Sequence, residues 1–190
     1  MRAIWSYLST PNGTPPGIPG PPAPGPLTPD VGPAHNPAYV RGGATVAPGK
    51  FGTGLALDGV DDRVEVPFDR SIDLGADDFT MMAWIKYGAT TGSHAILWAF
   101  RTGSGTTPQV WLRAEPESNR IRALLAVDRF NITVQSVGQR VDGVNRFQGT
   151  VDEVRVYRRA LSTTELDQIR QTNKPIRSQL GLDLPFSSVG

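Results

Sequence analysis

The sequence predicts an all-β sandwich of two antiparallel sheets with one short C-terminal helix, and three observations carry that expectation. Two distant segments, Leu57-Asp-Gly-Val-Asp-Asp-Arg-Val-Glu-Val-Pro67 and Phe147-Gln-Gly-Thr-Val-Asp-Glu-Val-Arg-Val-Tyr157, share one pattern. Each joins a glycine turn, an acidic cluster at a strand entrance and valines at alternate positions, which describes a strand half-buried on one sheet face. Short apolar runs recur between them without helical periodicity, as in an antiparallel sandwich or barrel. With 21 Gly and 17 Pro among 190 residues, much of the chain must be turn and linker.

Taken in order, residues 1–10 contain Ala3-Ile-Trp-Ser-Tyr-Leu8, with the aromatic and branched content of a short first strand. From 11 to 37 prolines arrive every few residues, which reads as an extended Pro/Gly-rich loop or linker. A collagen-like start at Gly17 fails at Ala23, where the glycine period breaks. The sandwich domain is expected over 38–174, its strands marked by the apolar runs Leu55–Leu57, Arg63–Val66, Phe79–Lys86, Ala95–Phe100, Val110–Leu112, Ile121–Val127, Ile132–Val137 and Val151–Tyr157. Phe79–Lys86 is apolar on both faces, Phe79, Met81, Ala83 and Ile85 on one and Met82 with Trp84 on the other, so it is expected to be central and covered on both sides. Ser162-Thr-Thr-Glu165 is a capping box ahead of Leu166 and Ile169, placing the helix before Pro175. The tail, 175–190, has scattered leucines with proline and serine and is expected to pack loosely.

Charge narrows the partners. The 19 basic and 18 acidic residues are dispersed, giving a net +1, so no field suited to a nucleic-acid backbone is present. The absence of cysteine removes disulfides, thiolate metal sites and cysteine nucleophiles. No run approaches the roughly 20 apolar residues of a membrane span, and the apolar stretch within Met1–Ser9 is short for a signal peptide.

Gly49-Lys-Phe-Gly-Thr-Gly-Leu-Ala-Leu-Asp-Gly-Val-Asp-Asp62, Val64-Glu-Val-Pro67, Asp78-Phe-Thr-Met-Met-Ala-Trp-Ile-Lys86 and Phe147 through Glu165 together resemble the bacterial laminin G-like, concanavalin A-like jelly-roll domains over roughly residues 27–171. The resemblance implies two curved antiparallel sheets and an appended, non-catalytic module of a secreted or cell-surface protein that contacts glycans or other proteins. Family members usually carry a Trp-His-His-Val strand, a strand ending in Val-Asp-Gly and one more before the closing strand. Here Gln139-Arg-Val-Asp-Gly143 runs almost directly into Phe147, and Trp-His-His does not occur. The chain is therefore a shortened copy by this comparison, with open sheet edges that invite pairing with a partner or a second copy.

Asp152 alternates with Val154 and Val156 and is expected on the inward face, where a carboxylate needs a cation or several hydrogen bonds. A structural calcium near the sheet rim is one answer, with Asp58, Asp61 and Asp62 supplying further oxygens toward the about six to eight it takes. The other is that Asp152 lies just outside the core and accepts turn N–H groups. Trp98 and Trp111 are the candidate ligand-binding residues, because an indole stacks on the apolar face of a sugar, although strand tryptophans are more often core. Trp84 matches the core tryptophan of the resembled family. Arg113, Glu115 and Arg122 are polar neighbours without a distinctive spacing, and His35 and His94 stand apart in loops. No catalytic residue is expected: glycosidases need two carboxyls about 5 to 9.5 Å apart, Glu115 and Glu117 are separated by Pro116, and Asp152 and Glu153 point to opposite faces. Asn12-Gly-Thr14 and Asn131-Ile-Thr133 match the short glycosylation pattern, and Gly103-Ser-Gly105 reads as a hairpin loop. The expected function is carbohydrate or surface binding, with a structural or adhesion role toward a protein partner as the alternative.

Overall fold

The computed structural model describes residues 25–67, 69–74, 77–88, 91–100, 109–125, 134–140 and 143–190. The strand expected at Ala3–Leu8, the linker as far as Pro24 and the Gly103 and Asn131 motifs lie outside them. The described chain forms two antiparallel sheets and one helix. The larger sheet contains β1 (Leu27–Thr28), β2 (Ala38–Arg41), β5 (Arg63–Pro67), β10 (Val134–Val137), β7 (His94–Phe100), β8 (Gln109–Glu115) and β9 (Arg120–Leu125), in that spatial order. The smaller sheet is built on β11 (Gln148–Tyr157). One side of β11 pairs β4 (Thr53–Asp58) and then β12 (Leu180–Leu184), β4 in turn pairs β3 (Thr45–Pro48), and the other side pairs β6 (Thr80–Tyr87). Among the described residues each apolar run overlaps a strand, and the first motif divides: Leu57 and Asp58 end β4 opposite Gly149 and Gln148 of β11, whereas its valine strand β5 lies in the larger sheet.

Alternation places one face of each strand inward. Leu55, Leu57, Val64, Val66, Leu97, Val110, Val151, Val154 and Val156 join Phe147 and Leu182 in one core between the sheets. The spacing from Val151 to Val154 is odd because β11 carries a bulge. Asp152 pairs Trp84, whereas Arg155 pairs Met82, so β11 holds one extra residue there, and Glu153 takes a left-handed φ of 52°. The expectation that Asp152 shares the inward face of Val154 and Val156 is therefore corrected: the extra residue turns Asp152 to the outer face, where Arg155 lies by alternation with the two valines.

Two further expectations change. The strand β6 is not central; among the described residues it pairs only β11, and Thr80–Ile85 remain partly exposed. Its two faces divide as expected, Phe79, Met81, Ala83 and Ile85 against the main core and Met82 against a second cluster. The tail is not loose, since Leu180–Leu184 pairs β11 with every residue buried and Phe186 is fully buried. Gly190 then exchanges backbone hydrogen bonds of 2.7 and 2.9 Å with Leu27. Leucines at 180, 182 and 184 alternate with Gly181 and Asp183, a strand pattern obscured in sequence by the polar residues around it.

The proline tract ends in ordered structure. Buried Asp30 accepts from the backbone N–H of Gly32 (2.8 Å), Asn36 (2.8 Å) and Asp183 (2.9 Å), fixing this loop to β12. Beside it Arg155 donates from Nε to Asp183 Oδ1 (2.8 Å) and from Nη2 to Glu153 and to Asn173 Oδ1 (2.9 Å).

The helix α1 (Thr163–Thr172) starts on the expected capping box and ends at Asn173 in a left-handed C-cap. It lays Ile169 and Leu166 on Tyr157, Leu161, Leu180 and Met82, on the outer face of the smaller sheet. Full burial of Ile169 contributes about 1.5–3 kcal/mol. The hydrogen bonds from Arg159 (2.6 and 2.9 Å) and then the Ser162 N–H hold Glu165 down from 4.5 to about 2. A depressed carboxyl contributes stability in full above its unfolded value of 4.5 and loses it as pH falls toward about 2. Acid titration of the fold by circular dichroism is expected to show less loss over that window in Glu165→Gln than in the parent chain; identical profiles would contradict the assignment.

Candidate functional site

The acidic loop lies between β4 and β5. Gly59, at φ +81°, lets the chain reverse, and two hydrogen bonds set the carboxylates: Val60 N–H to Asp58 Oδ1 (2.7 Å) and Asp58 N–H to Asp62 Oδ2 (2.8 Å). One oxygen each from Asp58, Asp61 and Asp62 lies within 4.8 Å of the others. Asp62 is 7% exposed, and its Oδ1 meets no donor among the described residues. Burial pushes the Asp62 carboxyl up, against the Asp58 N–H that lowers it, and the charges of Asp58 and Asp61 add to the rise. Asp58 itself is held low, chiefly by the Val60 N–H. Three hard oxygen donors around an unclaimed buried carboxylate oxygen suit a hard cation such as calcium.

Asp152 does not join this set. The antiparallel register puts Gln148 opposite Asp58, and Asp152 lies four residues farther along β11, about 13 Å away. Its Oδ2 instead accepts the N–H groups of Lys50 (2.7 Å) and Phe51 (3.0 Å), the turn-binding role the sequence allowed. A side chain at Gly49 would meet that oxygen at 2.5 Å, so the turn can approach only because residue 49 is glycine.

Trp98 and Trp111 stand opposite each other on β7 and β8, on the face of the larger sheet turned away from the main core. Their rings stack with centroids 5.0 Å apart, and they are 2% and 8% exposed. Arg113 lies over Trp111 at 4.9 Å and Arg140 over Trp98 at 5.6 Å. The glycan platform expected at these two indoles is thus not presented to solvent.

A tryptophan that sequence reasoning set aside is presented instead. Trp84 is partly exposed on the outer face of β6, where a cavity of about 310 Å³ is lined by Pro48, Lys50, Trp84, Lys86, Thr150 and Asp152. Lys50 Nζ sits 5.1 Å from the Trp84 ring centre, and Phe51 meets the indole edge-on at 6.0 Å. Asp152 is part of the lining, with Oδ1 buried and without a donor among the described residues. No signal in the sequence set it apart, because Trp84 matched a core tryptophan on a strand read as covered on both faces.

The remaining candidates are structural. Both His94 nitrogens contact carbonyls, of Arg146 (2.5 Å) and Thr91 (2.6 Å), and His35 Nδ1 contacts the Asp30 carbonyl (3.1 Å). Glu115 binds Arg113 (2.8 Å) and Arg122 (3.0 Å), and a one-turn helix at Pro116–Ser118 carries Glu117 away from the strand. Among family models, curated proteins and solved structures, none matches this chain.

Proposed function

We propose that the chain is a non-catalytic binding module of a secreted or cell-surface protein, with a glycan or polysaccharide as its ligand. The observation that carries this reading is the partly exposed indole of Trp84 at the mouth of a cavity edged by lysines and Thr150. An indole beside hydrogen-bonding groups matches a sugar ring, which has one apolar face and a polar rim. The described lining carries a single carboxylate, Asp152, and its Oδ2 is committed to the Lys50 turn, which favours binding over hydrolysis. The resemblance to laminin G-like sandwiches points the same way.

Calcium has a structural role in this reading, held by Asp58, Asp61 and Asp62 without Asp152. An ion there offsets the burial of Asp62 and tethers the β4–β5 turn.

Trp84→Ala is expected to weaken glycan binding by at least about 2 kcal/mol, roughly thirtyfold, in isothermal titration of a ligand chosen on a glycan array. Undiminished binding by the variant would move the ligand elsewhere, and an array without binding would remove the glycan reading. Calcium is expected to raise the Tm over a chelator control, because an ion that binds only the native state stabilises it. Asp62→Asn should abolish that increment, and Asp152→Asn should keep it. Since the Asp62 carboxyl is held above 3.8, its ionisation costs the metal-free fold stability as pH rises past that value, so Asp62→Asn should also raise the metal-free Tm at neutral pH. A Tm indifferent to calcium would remove the ion.

A further inference from the structure

Two ammonium groups flank the Trp84 indole. Lys86 stands two residues beyond Trp84 on β6, about 7 Å along the same outer face, with Thr150 opposite it on β11 and Asp152 opposite Trp84. Lys50 comes from the turn between β3 and β4 and holds its Nζ over the indole, 5.1 Å from the ring centre. Both lysines are exposed, and neither forms an ion pair among the described residues. Against their two charges the described lining sets one carboxylate, Asp152, whose Oδ2 already accepts the backbone N–H groups of Lys50 and Phe51. The cavity of about 310 Å³ thus combines an aromatic ring, the Thr150 hydroxyl and a surplus of positive charge.

The position of Lys50 decides which sugars this arrangement favours. A neutral ring stacking on that face of the indole must push aside an ammonium that the π-system attracts, and it gains only a hydroxyl contact in return. An acidic ring makes the same displacement and gives the ammonium a counter-ion, with Lys86 available as a second cation.

We infer that the ligand is an acidic polysaccharide, whose sugar ring stacks on Trp84 while its carboxylate or sulfate group is held by Lys50 and Lys86. The inference rests on the glycan reading of this cavity and adds the ligand's charge to it. Because both lysines are exposed, salt screens their part of the binding, over about 10 Å at 0.1 M, and leaves the stacking on Trp84 largely untouched.

Isothermal titration of the full chain tests it with two pairs of probes: oligogalacturonate beside its carboxyl-reduced counterpart, and dextran sulfate beside dextran. At low salt at least one acidic probe is expected to bind about tenfold or more tightly than its neutral counterpart, and the pair that shows the difference identifies the anionic group. Lys50→Gln and Lys86→Gln should each cut that ratio about threefold or more, and raised salt should compress it as well. Equal or weaker binding of the acidic probes, with Trp84→Ala still weakening the neutral ones, would overturn the inference and leave the glycan reading standing. Polyglutamate bound as tightly as the acidic sugars, with Trp84→Ala without effect, would also overturn it, since charge alone would then be recognised. Absence of binding by all four probes would remove it too, the glycan reading being decided separately by the array.

Discussion

The guanidinium of Arg155 lies where β11, β12 and the end of α1 meet, paired through Nε and Nη2, while its buried Nη1 meets no acceptor among the described residues. It is 2% exposed, and burying such a charge costs several kcal/mol unless it is paired and hydrogen-bonded. Asp183 of β12, Glu153 of the bulge and Asn173 at the helix C-cap supply the partners. Asn173 also donates to Glu153 Oε1 at 2.7 Å, closing a ring of polar contacts. The network extends beyond that ring. Asp183 N–H donates to Asp30, and Asp30 holds Asn36, whose amide reaches the Gly181 carbonyl at 2.9 Å and Ser71 Oγ at 3.1 Å. A loop early in the chain, a strand near its end and the central strand of the smaller sheet are stitched into one buried unit.

The bulge that accommodates this network also sets the site chemistry. One extra residue at Glu153 turns Asp152 outward, where it holds the Lys50 turn beside β11 and lines the Trp84 cavity. Without the bulge, Asp152 would face the core beside Val154 and would need the counter-ion that the sequence invited. The acidic loop keeps its three carboxylates because they lie on one turn, and it loses the fourth because register on a neighbouring strand is fixed by pairing.

Much of the fold was legible in the residues. Alternating valines marked β5 and β11, and the capping box placed α1 from Thr163. The misreadings have a common physical cause, because each depended on what lies beside a strand rather than on the strand itself. Apolar residues on both faces of β6 suggested a central position, yet the same composition arises where a core face meets the helix-covered cluster through Met82. The tail resembled a loose end because Gly181 and Asp183 interrupt its leucines, and Asp183 is buried only because Arg155 awaits it. A positive φ at a glutamate, like that of Glu153, leaves no trace in composition, so the outward turn of Asp152 could not be read from alternation.

The central claim is that Arg155 and Asp183 act as a coupled pair on which the attachment of β12 depends. A double-mutant cycle with Arg155→Met, Asp183→Asn and the combined variant, measured by urea unfolding, tests it most directly. The account predicts a coupling free energy of about 1–3 kcal/mol between the two sites. Additivity within about 0.5 kcal/mol would contradict it.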